Sequence, residues 1–171
     1  MKRRSVLTLI SQASLATLAL AGCGFKLRGS QNFAFSSIAV MPHPGGAVAI
    51  ELRRSFGGAV RVLAPDEPLD NAQMVIDILQ EQREKTVVGV NSSGQVREFQ
   101  LRIRVRFRVR TPQGKELVPD TEILQQRDIS FNESAVLAKE AEEALLYRDM
   151  QTDIVQQLMR RLAAVGHAAS S

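Results

Sequence analysis

The sequence contains very few of the residues from which metal and redox sites are built. It has one cysteine, Cys23, and two histidines, His43 and His167, in 171 residues. A single cysteine excludes a disulfide within the chain. Neither histidine has a cysteine, aspartate or glutamate at a spacing typical of zinc ligands, so no metal site is predicted.

The sequence also lacks the short motifs of the common enzyme classes. It has no G-x-S-x-G nucleophile elbow and no glycine loop that could hold a phosphate group. Glu140, Glu142 and Glu143 lie close together, but such a cluster is far more typical of a solvated helix face than of a catalytic pair. We therefore expect a protein that is not an enzyme and that uses no cofactor.

Residues 1–22 have the features of a secretory signal peptide. The basic start MKRR precedes SVLTLISQASLATLALA, a run too short and too polar for a good membrane span. The following LAGC, residues 20–23, resembles the lipobox of bacterial lipoproteins, in which the cysteine is acylated and begins the mature chain. Cys23 is therefore the predicted lipid attachment site and membrane anchor. Gly24 replaces the aspartate of inner-membrane retention signals, which favours the outer membrane.

The net charge of +4 comes mostly from this signal peptide. The chain has 22 Lys+Arg against 18 Asp+Glu, and three of the basic residues are Lys2, Arg3 and Arg4. After their removal the mature chain is nearly neutral, at about +1. The composition therefore gives no support for nucleic acid as a partner.

Hydrophobic periodicity predicts a single α+β domain over residues 38–165. The predicted strands span residues 38–40, 59–65, 72–88, 96–110 and 121–132. The predicted helices span residues 47–58 and about 133–164, with Gly166 as the terminator of the second. This order predicts a two-layer sandwich, in which two helices pack on one face of a mixed sheet of four to five strands. Residues 23–37 are expected to form a lipidated polar tether, and residues 166–171 a flexible tail.

Arginine alternates with apolar residues in FQLRIRVRFRVR, residues 99–110. Because a strand repeats every two residues, one face is predicted to be apolar and the other to consist of guanidinium groups. The arginines are Arg102, Arg104, Arg106, Arg108 and Arg110. They could face a polyanion, the polar lumen of a partner barrel, or carboxylates of neighbouring strands. The candidate carboxylates are Asp77, Glu81, Glu122 and Asp128.

Three stretches resemble the LptE family of lipopolysaccharide-assembly lipoproteins. They are GCGFKLRG at the start of the mature chain, NSSGQVREFQL at the central hairpin, and ESAVLAKEAEEALLYRDMQTDIVQQLMRRL in the last helix. With the order of elements, the resemblance covers nearly the whole mature chain. It implies a lipid-anchored outer-membrane protein that plugs the LptD β-barrel in a one-to-one complex, supports assembly of that barrel and binds lipopolysaccharide during its delivery to the cell surface.

The resemblance also implies binding residues. A family lysine that contributes to lipopolysaccharide binding matches Lys139, in VLAKE. Ser92 stands where the family has a basic residue at the hairpin turn, and Arg97 is a candidate to replace it. Arg102 and Arg104, the ladder residues nearest that turn, are the remaining candidates because arginine binds phosphate and carboxylate groups bidentately.

A second function class shares the lipid anchor and a small α+β domain. In this alternative the chain is an auxiliary lipoprotein of an ABC-type envelope transport system for another lipid or small molecule. Its location distinguishes the two, since the alternative predicts fractionation with the inner membrane.

Overall fold

The computed structural model describes residues 32–169, with side chains as far as residue 165. The strands are β1 Ser37–Met41, β2 Arg61–Val62, β3 Met74–Val90, β4 Val96–Arg110 and β5 Glu116–Ser130. The helices are α1 Ala47–Ser55 and α2 Val136–Ala169, with 3₁₀ turns at Leu69–Asn71 and Glu133–Ala135. The strands form one mixed sheet in the order β2-β1-β3-β4-β5. β1 is parallel to β2 and β3, while β3, β4 and β5 are antiparallel neighbours.

Two tight turns make β3, β4 and β5 a continuous meander. At the first turn the Asn91 side-chain oxygen accepts hydrogen bonds from the amides of Ser93 and Gln95, at 3.0 and 2.9 Å. Gly94 then adopts φ +78°, a left-handed conformation that favours glycine. Gly114 does the same at the second turn, with φ +92°. Both hairpins therefore follow from local turn chemistry.

The core lies between one sheet face and the two helices. The apolar residues of the central part of β4 are almost completely buried: Leu101, Ile103, Val105, Phe107 and Val109. They form one cluster with Leu52 of α1 and with Ile154, Leu158 and Leu162 of α2. The predicted α+β architecture, with two helices on one face of a mixed sheet, is confirmed.

Among residues 32–169, the opposite face of the sheet is covered at one end only. There Ala39, Leu63, Ala72 and Val75 form a second, small buried cluster beneath the loop that follows β2. The remaining residues of β3, β4 and β5 that point away from the helices form a surface that we call the open face. The arginines of β4 lie on it.

A β-bulge at Leu79 reverses which residues of β3 point to the helices and which point to the open face. Ile78 pairs with Phe107, whereas Gln80 pairs with Arg106, so the pairing register shifts by one residue between them. Between this bulge and a second register shift after Val87, odd-numbered residues point to the helices. Glu81 accepts a hydrogen bond from the amide of Val48 at the start of α1, at 3.1 Å. Glu81 is therefore a helix-side residue and does not face the arginines, contrary to one predicted pairing.

Several boundaries differ from the sequence-based predictions, including the ends of β3 at Val90 and of α1 at Ser55. β5 begins at Glu116 inside the predicted turn, and β2 contains only two residues. The helix α2 continues through Gly166 to Ala169, because an isolated glycine costs a long helix only about 1 kcal/mol. The predicted polar tether contains Phe33 and Phe35: Phe35 is buried, and the two rings lie 5.2 Å apart.

Apolar residues recur at helical spacing along α2, from Val136 and Leu137 to Leu162, and this stripe predicts burial along the whole helix. The first half of α2 is nevertheless largely exposed. Leu137 is 82% exposed and Leu145 58% exposed, whereas the helix from Met150 onward is packed into the core. Tyr147 lies at the transition, where its hydroxyl donates a hydrogen bond to the Glu84 carbonyl at 2.7 Å. The sheet side of the first half instead holds polar contacts, described below.

Replacement of Phe107 by alanine tests this assignment of the core. Because Phe107 is fully buried at the centre of β4, Phe107→Ala is expected to reduce the free energy of unfolding by about 3–5 kcal/mol. Chemical denaturation measures the loss. The control is Ile50→Ala on the exposed side of α1, which should cost less than about 1 kcal/mol. Equal losses in the two variants would contradict the core described here.

Candidate functional site

Three of the five ladder arginines have a close carboxylate partner on a neighbouring strand. Arg106 forms an ion pair with Asp120 of β5. Arg108 and Arg110 both bind Asp77 of β3, with Nε atoms 2.8 and 2.9 Å from its Oδ2. For these three arginines, the structure shows the third predicted alternative, which is pairing with carboxylates of neighbouring strands.

Asp77 is the buried charged residue of the open face, with 9% of its surface exposed. Burial opposes its ionisation, but the hydrogen bonds and positive charges of Arg110 and Arg108 outweigh that effect and hold the pKa of Asp77 below its ordinary value. The same contact raises the pKa of Arg108. Asp77 therefore stays ionised at neutral pH and joins two positions of β4 to β3.

The two arginines nearer the central turn have weaker partners. The closest carboxylate to Arg104 is Glu122, at 3.8 Å, and Arg104 Nε is buried without a hydrogen-bond partner among the described residues. Arg102 Nε donates to the neutral side chain of Gln100 at 2.7 Å. The remaining predicted carboxylate, Asp128, accepts from Gln100 instead, at 3.0 Å. Arg102 and Arg104 thus form weaker contacts with carboxylates than Arg106, Arg108 and Arg110 do.

Lys139 lies on the other side of the sheet, at the start of α2. Its Nζ donates to Ser130 Oγ at 3.0 Å and forms an ion pair with Glu142 at 2.8 Å. Nearby, Lys85 Nζ lies 2.6 Å from Glu143 and 4.4 Å from the centre of the Phe99 ring. These side chains border a cavity of about 240 Å³ between α2 and the ends of β4 and β5. We call it the α2 cleft.

The structure divides the predicted binding residues into separate groups. Arg102 and Arg104 point to the open face, and Lys139 lies on the helix side, so they cannot share one phosphate group. Arg97 lies near the turn, where its side chain is 3.4 Å from Gln95 Oε1. Ser92 is exposed in the turn itself.

Sequence reasoning missed Lys85 as a residue of the α2 cleft. Alternation counted from Met74 places Lys85 on the open face, and only the bulge at Leu79 moves it to the helix side. Glu143 of α2 accepts a hydrogen bond from the Lys85 ammonium across 58 residues of sequence, a contact that no local pattern indicates.

Within residues 32–169, no group of three histidine, cysteine or acidic side chains is arranged to hold a metal ion. In the same part of the chain, no helix combines the length and apolarity required to span a membrane.

Comparison with a family model decides the family of the chain. The model for LptE, described as lipopolysaccharide-assembly, matches residues 31–162. The chain belongs to the LptE family. Similar proteins include the LPS-assembly lipoprotein LptE of Yersinia enterocolitica, 29% identical over 99% of this chain and 80% of that protein. The LptE of Yersinia pseudotuberculosis serotype O:1b is 30% identical over 98% of this chain and 79% of its own length.

Solved structures agree with the fold. The solution structure of a lipoprotein B from Nitrosomonas europaea is 34% identical, with a TM-score of 0.72 over 85% of this chain and 94% of that one. The rare lipoprotein B of Shewanella oneidensis is 19% identical, with a TM-score of 0.66 over 80% of this chain and all of that one. The latter shows the fold alone.

Membership of the LptE family establishes the coarse function. The chain is an envelope lipoprotein with a role in lipopolysaccharide assembly, and it is not an enzyme. The predicted family and the predicted absence of enzymatic activity are confirmed by these relatives.

Loss of the Asp77 charge should destabilise the protein in a pH-dependent way. Asp77→Asn is expected to cost about 2 kcal/mol at pH 7, because it removes charge-assisted hydrogen bonds to two arginines. Since folding lowers the pKa of Asp77, its contribution is present above about pH 4 and disappears as the pH falls through the folded-state pKa. Thermal unfolding between pH 2 and pH 7 measures both effects.

The matched control for this experiment is Asp66→Asn in the exposed loop after β2. It should change stability little at any pH. A difference between wild type and Asp77→Asn that stays constant down to pH 2 would contradict the assigned role of the Asp77 charge.

Proposed function

We propose that the chain is an outer-membrane lipoprotein, acylated at Cys23, that plugs and supports the assembly of an LptD-like β-barrel and binds lipopolysaccharide during its delivery to the outer leaflet. The observation that carries this proposal is the open face. It is a sheet surface built from five arginines and their polar neighbours, and neither helix of residues 32–169 packs over them. In a protein whose family serves lipopolysaccharide assembly, such a surface suits contact with a polar, charged environment.

The interior of a large membrane barrel is polar, and its strands expose alternating side chains to the lumen. Arg104 has only a long contact with Glu122, at 3.8 Å, and Arg102 donates to the neutral Gln100, so both side chains can bind anionic groups on that wall or on lipopolysaccharide. The positive charges of Arg106, Arg108 and Arg110 are largely balanced by the two carboxylates of Asp77 and Asp120, so this part of the open face is mostly ion-paired. An ion-paired face can be enclosed by a polar lumen without leaving a row of unpaired charges.

The length of the central hairpin also supports a plug. β3 has 17 residues, which at about 3.3 Å per residue corresponds to roughly 55 Å. The apolar band of an outer-membrane barrel is about 25 Å tall. One hairpin therefore offers contacts over the full height of such a barrel.

Lys139 supports lipopolysaccharide contact on the helix side. Its ion pair with Glu142 is partly exposed, and exposed pairs contribute only about 0–1 kcal/mol. Phosphate can therefore replace the glutamate as the partner of Lys139 at little cost. Together with Arg97, Arg102 and Arg104, Lys139 completes the set of proposed lipopolysaccharide-binding residues.

Copurification tests the proposed partner. The full chain, extracted from outer membranes in a gentle detergent, is expected to purify with one large β-barrel in a one-to-one ratio, identified by mass spectrometry. Recovery from the outer membrane as a free monomer would contradict the plug. Density-gradient fractionation with the inner membrane would instead support the auxiliary lipoprotein of an ABC-type transport system.

Charge reversal tests the proposed lipid contacts. Lys139→Glu and the double variant Arg102→Glu with Arg104→Glu should each weaken lipopolysaccharide binding about tenfold or more, because each removes charge-assisted hydrogen bonds. Since the sheet separates the two positions, the effects should multiply in the triple variant. Binding of labelled lipopolysaccharide to the purified complex measures the affinities.

The control for charge reversal is Lys115→Glu in the second hairpin turn, which should leave the affinity unchanged. Circular dichroism checks that each variant is folded. A folded triple variant with wild-type affinity would remove these residues from the binding site.

A further inference from the structure

The α2 cleft is predominantly apolar inside. Its walls include Phe99 of β4, Ile129 of β5, Phe131 beyond β5 and Val136 of α2. The rings of Phe99 and Phe131 meet edge to face, with centres 5.3 Å apart. The volume of about 240 Å³ is several times that of a water molecule. Such a space suits hydrocarbon better than a small polar ligand.

Exposed apolar side chains are concentrated around the same end of the molecule. They are Val87, Val88, Val90, Val136, Leu137 and Leu145. Exposed apolar surface of this kind, bordered by charges, is typical of a site that meets lipid or a partner.

Two lysines stand at the border of the cleft. Lys85 and Lys139 both line it, and their side chains remain 38% and 22% exposed. Each is held by a glutamate, Glu143 and Glu142 respectively. Because these pairs are partly open to water, an incoming phosphate can displace the carboxylates. A free phosphate ion is expected to bind poorly here, because it would only replace the glutamate carboxylates as partners of the lysines and would bury no apolar surface.

We propose that the α2 cleft binds one acyl chain of a phosphate-bearing lipid, whose phosphate is held by Lys85 and Lys139. The chain would lie among Phe99, Ile129 and Val136. This inference rests on the proposed function, which brings such a lipid to the protein. It adds an acyl-chain site and assigns Lys85 to it.

Titration with a single-chain lipid phosphate tests the site. The full chain is solubilised in digitonin, a sterol detergent without a long single acyl chain, and dodecyl phosphate is added while the methyl resonances of Ile129 are followed by NMR. Saturable shifts are expected. Dodecyl phosphate should bind at least about tenfold more tightly than butyl phosphate, because each additional methylene group that is buried raises the affinity roughly fourfold. It should also bind more tightly than dodecyl maltoside, which has no phosphate.

Paired variants separate the cleft from its surroundings. Val136→Gln, inside the cleft, should weaken the affinity for dodecyl phosphate at least fivefold, whereas Ile50→Gln, at an exposed position of α1 away from the cleft, should leave that affinity unchanged. Lys85→Ala and Lys139→Ala should each reduce the preference for dodecyl phosphate over dodecyl maltoside. Lys115→Ala serves as the matched control for charge.

Equal affinities of wild type and Val136→Gln, or of dodecyl and butyl phosphate, would overturn the acyl-chain site. Equal affinities for dodecyl phosphate and dodecyl maltoside would overturn the lysine assignment. Copurification of the barrel with Val136→Gln reports separately on the proposed function. If the barrel is retained while dodecyl phosphate binding is unaffected by Val136→Gln, only the further inference fails.

Discussion

The alternation of side chains along β4 is the constraint on which the rest of the structure depends. Four apolar residues of β4 are completely buried on the helix side: Leu101, Ile103, Val105 and Phe107. Their burial provides much of the hydrophobic stabilisation available to a small sheet. With that side fixed, the intervening arginines must point to the open face, because a one-residue slip would bury guanidinium groups. The polar character of the open face is therefore a direct consequence of how the core is made.

The carboxylates then determine how the arginines can act. The strength of ion pairing therefore decreases along the ladder, from Arg110, which is paired with Asp77, through Arg104, which lies 3.8 Å from Glu122, to Arg102, whose Nε donates to the neutral Gln100. Cross-strand pairs at the first end hold β3, β4 and β5 in register. At the second end, near the central turn, the ion pairing is weaker, and this is the half of the strand that we propose for contact with anions outside the chain.

Much of this arrangement could be predicted from the sequence, since it depends on strong local patterns. The two faces of β4, the turn at Gly94 and the packed second half of α2 all follow from periodicity and turn chemistry. The bulge at Leu79 could not be predicted, because the residues around it are a mixture of polar and apolar that fits either register. Its consequences were therefore missed as well: Glu81 and Lys85 lie on the helix side. The exposure of Leu137 was missed because an apolar helix stripe does not show whether a surface exists to cover it.

The central claim is that the open face is an interface in the membrane and is not exposed to bulk water. Site-specific photocrosslinking of the full chain in intact outer membranes tests it most directly. A photoreactive residue is placed at Gln82 and, separately, at Gln126, which lie opposite Arg104 and Arg102 in the sheet. The account predicts covalent adducts with the barrel or with lipopolysaccharide at both positions. An absence of adducts at both positions, in a chain that remains folded and in the outer membrane, would contradict it.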